Sequence, residues 1–348
     1  MNISNYLRFL KYLLRGRGLV YIHYGVTHCC HLRCRMCSVW KGGDKEKELS
    51  LPEIKSLAQG LRSLGAISVA LGGGEPFVRE DLPEIVRIFR DEGLWVRVVT
   101  NGVKPTPEDI RAVVQAGLTS ASISLDSLSP ETQDFIRCSK NTLPEIMRSL
   151  SLFKELLPQK GRRLLLNTVV SHLNLKELPE IARFARAKGY LVSFIPVVLA
   201  PSPDIQDPFA AYAPELAIRE EDHSVVDEVY DRLKELKRSY PILNSLKFLE
   251  ASRIYLKAGK IDWDCDAGGF YLSVSPEGRI SICHRFAYPG MKTSPELREL
   301  MHSPQYQKQR QELISGCPGC IRPCWRETSF MMKDGRILYQ VLRLSLRY

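Results

Sequence analysis

The chain alternates short apolar runs with amphipathic stretches of helical period. Residues 19–26, LVYIHYGV, form a β-rich run. The helical SLPEIKSLAQGLRSLG at 50–65 follows, with Ser50 and Glu53 at capping-box spacing and Gly65 at its end. The unit then recurs. AISVAL at 66–71 precedes DLPEIVRIFRDEG, WVRVVT at 95–100 precedes TPEDIRAVVQAG, and SASISL at 120–125 precedes TLPEIMRSLSLFKEL. LLLNTVV at 164–170 precedes LKELPEIARFARAKG, and YLVSFIPV at 190–197 supplies a sixth strand. These strands are continuously apolar, as in a parallel sheet covered on both faces. Six successive βα units predict a parallel, right-handed α/β layer, either doubly wound or an incomplete barrel.

The pattern breaks after Pro196. PVVLAPSPDIQDPFAAYAP carries five prolines in nineteen residues and reads as a long irregular loop, of the kind that forms lids and binding segments. Its Asp204 and Asp207 are candidates for taking up a proton, although no spacing selects either. An amphipathic helix follows, with Val225, Val226, Val229, Leu233 and Leu236 on one face, and then a second helix at 245–259. GFYLSVSPEGRISIC, two alternating runs around Pro276-Glu277-Gly278, predicts a β-hairpin in a second domain that begins near Ile261. The expected organisation is an amphipathic N-terminal helix at 1–18, a partial barrel at 19–200, a proline-rich loop and linker helices at 201–260, a small cysteine-bearing domain at 261–330 and an extension at 331–348.

Composition narrows the class. At 348 residues, 44% hydrophobic and 25% charged, the chain has ordinary globular composition, with length for a barrel-sized domain and a smaller one. No apolar run is long enough for a spanning helix, and the N-terminal YLRFLKYLLRGRG lacks the apolar core of a signal peptide. The expectation is a cytoplasmic protein. In that reducing setting ten cysteines read as metal ligands or catalytic groups rather than disulfides. The net charge of +10 is spread along the chain and selects no partner by itself.

The cysteines are placed in a telling way. Cys30, Cys34 and Cys37 form C-x3-C-x2-C just beyond the first strand, at the carboxyl end of the sheet, where α/β proteins build their sites. Three thiolates leave one iron of a 4Fe-4S cluster open to a further ligand. The spacing equally admits structural zinc with His28 or His31 as fourth ligand. At the end of the second strand, LGGGEPF sets three glycines before Glu75, a carboxylate suited to an ammonium group.

Together, C-x3-C-x2-C and the GGE that follows one strand later resemble the radical S-adenosylmethionine (SAM) superfamily, over roughly residues 21–197. The resemblance implies an incomplete parallel (β/α)6 TIM-like barrel. It also implies that Cys30, Cys34 and Cys37 ligate a 4Fe-4S cluster whose open iron is chelated by SAM. By the same resemblance Met36 contacts adenine, and Gly73, Gly74 and Glu75 hold the methionyl ammonium. Ser124 and Asp126, in SLD at the fourth strand, lie near the ribose and methionyl groups, and Asn167 on the fifth strand joins them. One electron from the cluster then cleaves SAM to methionine and a 5'-deoxyadenosyl radical that abstracts a substrate hydrogen. A low-potential donor such as flavodoxin or ferredoxin is implied. In DFIRCSKN, Cys138 stands where many relatives have glycine, either as an inert residue or as a catalytic thiol.

Cys265, Cys283, Cys317, Cys320 and Cys324 remain. Cysteine, hairpin glycine, cysteine and then C-x2-C resemble the twitch domain, the shorter form of the SPASM domain, which carries one auxiliary 4Fe-4S cluster. The resemblance makes Cys265, Cys283, Cys317 and Cys320 its ligands, with Cys324 spare or substituting for one of them. Closure by four thiolates favours electron transfer and a net oxidation or rearrangement of a small-molecule substrate. A peptide maturase, or a lipid enzyme held at a membrane through the N-terminal helix, are the alternatives. From another class comes a basic zinc-binding nucleic-acid module, although no stacking platform or nucleic-acid motif accompanies the charge.

Overall fold

Among the described residues, nine strands form one sheet in the order β6-β5-β4-β3-β2-β1-β7-β8-β9. The first six are β1 (Tyr21–Thr27), β2 (Ser68–Gly73), β3 (Trp95–Thr100), β4 (Ser120–Ser124), β5 (Arg163–Val170) and β6 (Leu191–Pro196). They run parallel and neighbour one another in chain order, as βα repetition requires. β6 and β9 end the sheet, which stays open as a partial TIM-like barrel. The computed structural model describes residues 5, 7–9, 11–12, 18–42, 44–158, 163–202, 207, 209–283, 286–292, 299, 301, 303–317 and 319–347.

The crossover helices are α1 (Leu51–Ser63), α2 (Leu82–Asp91), α3 (Pro107–Gln115), α4 (Pro130–Arg137), α5 (Thr142–Leu156) and α6 (Leu178–Lys188). Four of them carry the same tetrapeptide, Leu-Pro-Glu-Ile, at their start, in α5 one residue in, after Thr142. Proline in the first turn sacrifices no helical hydrogen bond, and glutamate there complements the positive end of the helix dipole. The isoleucines of the four copies, Ile54, Ile85, Ile146 and Ile181, all reach 0% exposure. At roughly 25 cal/mol per Å2 of buried apolar surface, each anchors its helix to the sheet by about 2 kcal/mol. In α1, Glu53 accepts from the Ser50 backbone N–H at 2.9 Å, the hydrogen bond expected from the capping-box spacing.

The hairpin does not stand apart from the barrel. β7 (Tyr271–Val274) pairs in parallel with β1, Tyr21 opposite Tyr271 and Tyr24 opposite Val274. β8 (Arg279–Cys283) and β9 (Phe286–Lys292) then continue the sheet antiparallel. Between β6 and β7 lie α7 (His223–Leu236) and α8 (Leu246–Ala258), and after β9 come α9 (Pro304–Ser315), α10 (Pro323–Lys333) and α11 (Gly335–Arg347). Trp325 of α10 stacks on Tyr271 with ring centroids 5.3 Å apart, and Ile321 and Phe330 pack with Phe248 and Tyr255 of α8. The cysteine-bearing segment is thereby anchored on both sides.

Most of the apolar face expected at 1–18 lies outside the described residues. Two flanking contacts are described: Asn5 Nδ2 donates to the Gly93 carbonyl and Tyr12 Oη to that of Gly65, each at 2.7 Å. Both carbonyls precede strands, at the amino end of the barrel. Among the described residues, no helix is long and apolar enough to cross a membrane.

Candidate active site

All six strands β1–β6 line a cavity of about 280 Å3, β2 to β6 with residues of their carboxyl halves. His23 comes from β1, Gly72 and Gly73 from β2, Thr100 from β3, Ser124 from β4, Asn167 and Val169 from β5, and Ile195 from β6. The loop after β1 brings Cys30, Cys34, Met36 and Cys37 to the same space. Met36 is 8% exposed, packed with Ile136, Val197 and Leu216, and its carbonyl accepts from the Ala211 N–H of the proline-rich segment.

The glycines are explained by backbone crowding. The Gly74 N–H donates to Thr27 O at 2.7 Å and the Glu75 N–H to Cys29 O at 2.8 Å, so the end of β2 is laced to the cysteine loop. A Cβ on Gly74 would lie 2.1 Å from Cys29 O, and one on Gly73, where φ is +104°, 2.5 Å from Thr27 O. Only glycine permits this approach. It leaves both glycines on the cavity wall beside the thiols.

Glu75 points behind that wall and does not line the cavity. It is 1% exposed, with Oε1 accepting from Thr100 Oγ1 at 2.7 Å and from the Phe77 N–H at 3.2 Å, and Oε2 from the Asn101 N–H at 2.8 Å. Burial pushes its carboxyl up to about 7, against the pull of these donors. Asp126 is likewise behind the surface. It is fully buried, accepts from the Val169 N–H at 2.9 Å and pairs with Arg137 at 2.6 Å. Burial would lower the Arg137 pKa, but the Asp126 carboxylate and the Cys34 sulfur more than reverse this and hold it charged.

The sulfurs meet donors. Asn101 Nδ2 lies 3.8 Å from Cys30 Sγ, the Leu32 N–H 3.4 Å from the same atom, and Arg137 Nη1 3.8 Å from Cys34 Sγ. Burial raises the Cys30 thiol to about 11 and that of Cys37 to about 12. Such thiols stay protonated until a metal ion supplies the compensating charge, so the donor set suits a metal centre rather than a free nucleophile. Among the described residues no three His, Cys, Asp or Glu side chains converge closely enough to hold a single metal ion. A four-iron cluster makes a different demand, since each thiolate binds a separate iron. His28, considered above as a zinc ligand, is taken by Glu277 at 2.7 Å.

A second cavity, of about 30 Å3, is lined by Cys265, Cys283, Cys317 and Cys320 together with Tyr271 and Trp325. Cys324 is half-buried, its thiol pushed up to about 12 by desolvation, yet it does not line this space. Arg322 lines both cavities, paired with Asp207 at 3.2 Å and lying over the Phe209 ring at 5.8 Å.

Of the residues singled out from sequence, Cys30, Cys34, Cys37, Met36, Gly73, Gly74, Ser124 and Asn167 come together at the first cavity. Glu75 and Asp126 support its wall from behind. Cys138 takes no part in the cavity: it is exposed and caps α4 with φ +52°, a conformation glycine adopts more readily. Asp207 is committed to Arg322, and Asp204 lies outside the described residues. Sequence reasoning passed over Asn101, Arg137 and Arg322. The end of the third strand, VVTN, was the available signal for Asn101, because the carboxyl ends of the neighbouring strands already carried candidates.

Residues 24–185 match the Radical SAM superfamily. Among curated proteins, the chain is 33% identical over 183 residues to a GTP 3',8-cyclase of Marinobacter nauticus, covering 52% of this chain and 54% of that one. It is 28% identical over 269 residues to a PqqA peptide cyclase of Bradyrhizobium diazoefficiens, covering 74% and 65%. The chain thus spans roughly half to two thirds of the length of these relatives. Among solved structures, Streptococcus suis SuiB bound to S-adenosylmethionine superimposes with a TM-score of 0.65 at 12% identity, covering 95% of this chain and 79% of SuiB, a likeness of fold.

Proposed function

We propose that the protein, whose residues 24–185 match the Radical SAM superfamily, is an enzyme that reductively cleaves SAM and abstracts a hydrogen atom from an organic substrate. One juxtaposition carries the reading: Cys30, Cys34 and Cys37 open into the same cavity as the Gly73–Gly74 backbone, with Asn101 and Arg137 directed at two of the sulfurs. The three thiolates would hold a 4Fe-4S cluster, which when bound supplies the electron for cleavage. Glycine backbone at the wall lets SAM come close, Met36 offers an apolar and polarisable surface for adenine, and Ser124 and Asn167 present polar groups from opposite β4 and β5 positions. Glu75 and Asp126 then act as positioning residues: Glu75 fixes Thr100 and Asn101, and Asp126 holds Arg137 against Cys34. Six strand ends enclose the reactants and limit water, which a carbon radical requires.

The four cysteines around the second cavity would hold an auxiliary cluster, closed by protein ligands and suited to accept the electron left on the substrate. Arg322 and Val198, shared by the two cavities, would lie between the two centres. A peptide substrate is the second reading, favoured by the 74% of the chain that aligns with a PqqA peptide cyclase.

The test is iron and sulfide content with electron paramagnetic resonance after anaerobic reconstitution. About eight irons are expected, falling to about four in a Cys30, Cys34 and Cys37 triple alanine variant, with SAM perturbing the reduced signal only in the wild type. Cys320→Ala should lose the second set and Cys324→Ala should keep it. Zinc in place of iron would overturn the reading.

A further inference from the structure

A third cavity, of about 470 Å3, lies between β1 and the β7–β8 hairpin. It shares His23, Val39, Gly73 and Phe209 with the cysteine-lined cavity, so the two meet at the β1–β2 wall. Its inner surface is rich in hydroxyls: Thr27 on β1, Ser273 on β7, Ser275 beyond it and Ser281 on β8. Ser273 and Ser281 are cross-strand partners.

The charged side chains around this cavity, Asp44 and Glu277 against Lys47 and Arg279, cancel formally but are unevenly paired. Glu277 is held by His28 at 2.7 Å and by Ser275 Oγ at 2.6 Å. Asp44 pairs with Lys47 at 3.3 Å. Arg279 has no carboxylate partner among the described residues, although its backbone is fixed by a hydrogen bond from its N–H to Ser275 Oγ at 3.2 Å. Both acids are thus engaged, as are the Thr27 and Ser275 hydroxyls, Thr27 Oγ1 donating to Glu48 at 2.6 Å, and the Arg279 guanidinium is left without a carboxylate, with the Ser281 hydroxyl on the same strand. A guanidinium with a fixed backbone favours carboxylate or phosphate.

We propose that this cavity binds the distal, anionic part of the substrate, with Arg279 contacting a carboxylate or phosphate while the reacting carbon lies in the adjoining cysteine-lined cavity. The proposal rests on reading that adjoining cavity as the radical site. It makes the substrate a polar, hydroxyl- or amide-bearing anion that spans both spaces, and it assigns the β7–β8 hairpin a part in recognition.

The test uses full-length reconstituted protein titrated calorimetrically at low salt with inorganic pyrophosphate, succinate and neutral erythritol. At least one anion should bind, and Arg279→Gln should weaken it about tenfold, the loss of one hydrogen bond to a charged group. Arg279→Lys should recover part of the affinity, and the surface change Arg111→Gln should leave it unaltered. Pyrophosphate alone would indicate a phosphate-bearing substrate and succinate alone a carboxylate. Binding of erythritol alone, of neither anion, or of anions with equal sensitivity to Arg279→Gln and Arg111→Gln would overturn the proposal. Iron content and SAM binding of the wild type, measured on the same preparation, separate that failure from failure of the radical reading.

Discussion

Glu75 offers the sharpest test of how the site is built, because burial and hydrogen bonding pull on it in opposite directions. Three donors face its oxygens, yet burial raises the folded carboxyl from 4.5 to about 7. Below pH 4.5 the group is protonated in folded and unfolded chains alike. Between pH 4.5 and 7 the unfolded chain releases the proton while the folded one keeps it, so stability declines across this window and stays at its lower level above it. At about 1.4 kcal/mol per pH unit, the decline attributable to Glu75 is about 3 kcal/mol. Glu75→Gln keeps the shape and removes the titration, but its amide N–H groups must face N–H donors, a loss of about 1 kcal/mol. Urea unfolding of the cluster-free, reduced protein followed by circular dichroism reads both effects. The variant should be the less stable protein near pH 4.5 and the more stable by about 2 kcal/mol at pH 8. Parallel curves over that range would refute the argument and show that the three donors keep Glu75 ionised throughout.

Two further outcomes follow from the same wall. Arg137→Met leaves the fully buried Asp126 without its cation, which should cost about 3–5 kcal/mol in urea unfolding, and adding Asp126→Asn should restore part of it; an additive double variant would mean that the pair is uncoupled. Gly74→Ala sets a methyl 2.1 Å from Cys29 O, backbone against backbone, so the cysteine loop must shift by more than an ångström. Iron at the first site should then fall after reconstitution while the second set of irons remains, and full loading would show that the loop adapts.

Local signals carried a large part of this protein. Continuous apolar runs alternating with capped amphipathic helices specify parallel strands with crossovers, because each pattern has a single way to bury its apolar positions. The four Leu-Pro-Glu-Ile starts place their isoleucines in the core wherever they occur. The C-x3-C-x2-C spacing and the GGE run were equally legible, since both lie within one turn of chain next to a strand end. The N-terminal helical pattern was legible as well, but Asn5 and Tyr12 tie their segment to the amino end of the barrel.

Other features depend on distance in space. The glycines suggested room for a ligand, whereas their immediate cause is the Cys29 and Thr27 carbonyls pressed against β2. Glu75 and Asp126, ligand contacts by the resemblance, are buried in the structure and hold Thr100, Asn101 and Arg137. Nothing in the hairpin's own sequence states that β7 pairs with β1, about 250 residues earlier in the chain. That pairing forms the third cavity and, with α10, brings Cys265, Cys283, Cys317 and Cys320 around the second. The sequence by itself determined which elements form and which cysteines stand at the first strand end, because those depend on neighbours a few residues apart. Only the tertiary structure decided which polar groups face the cavity and which brace it from behind, because that depends on burial against residues tens to hundreds of positions away.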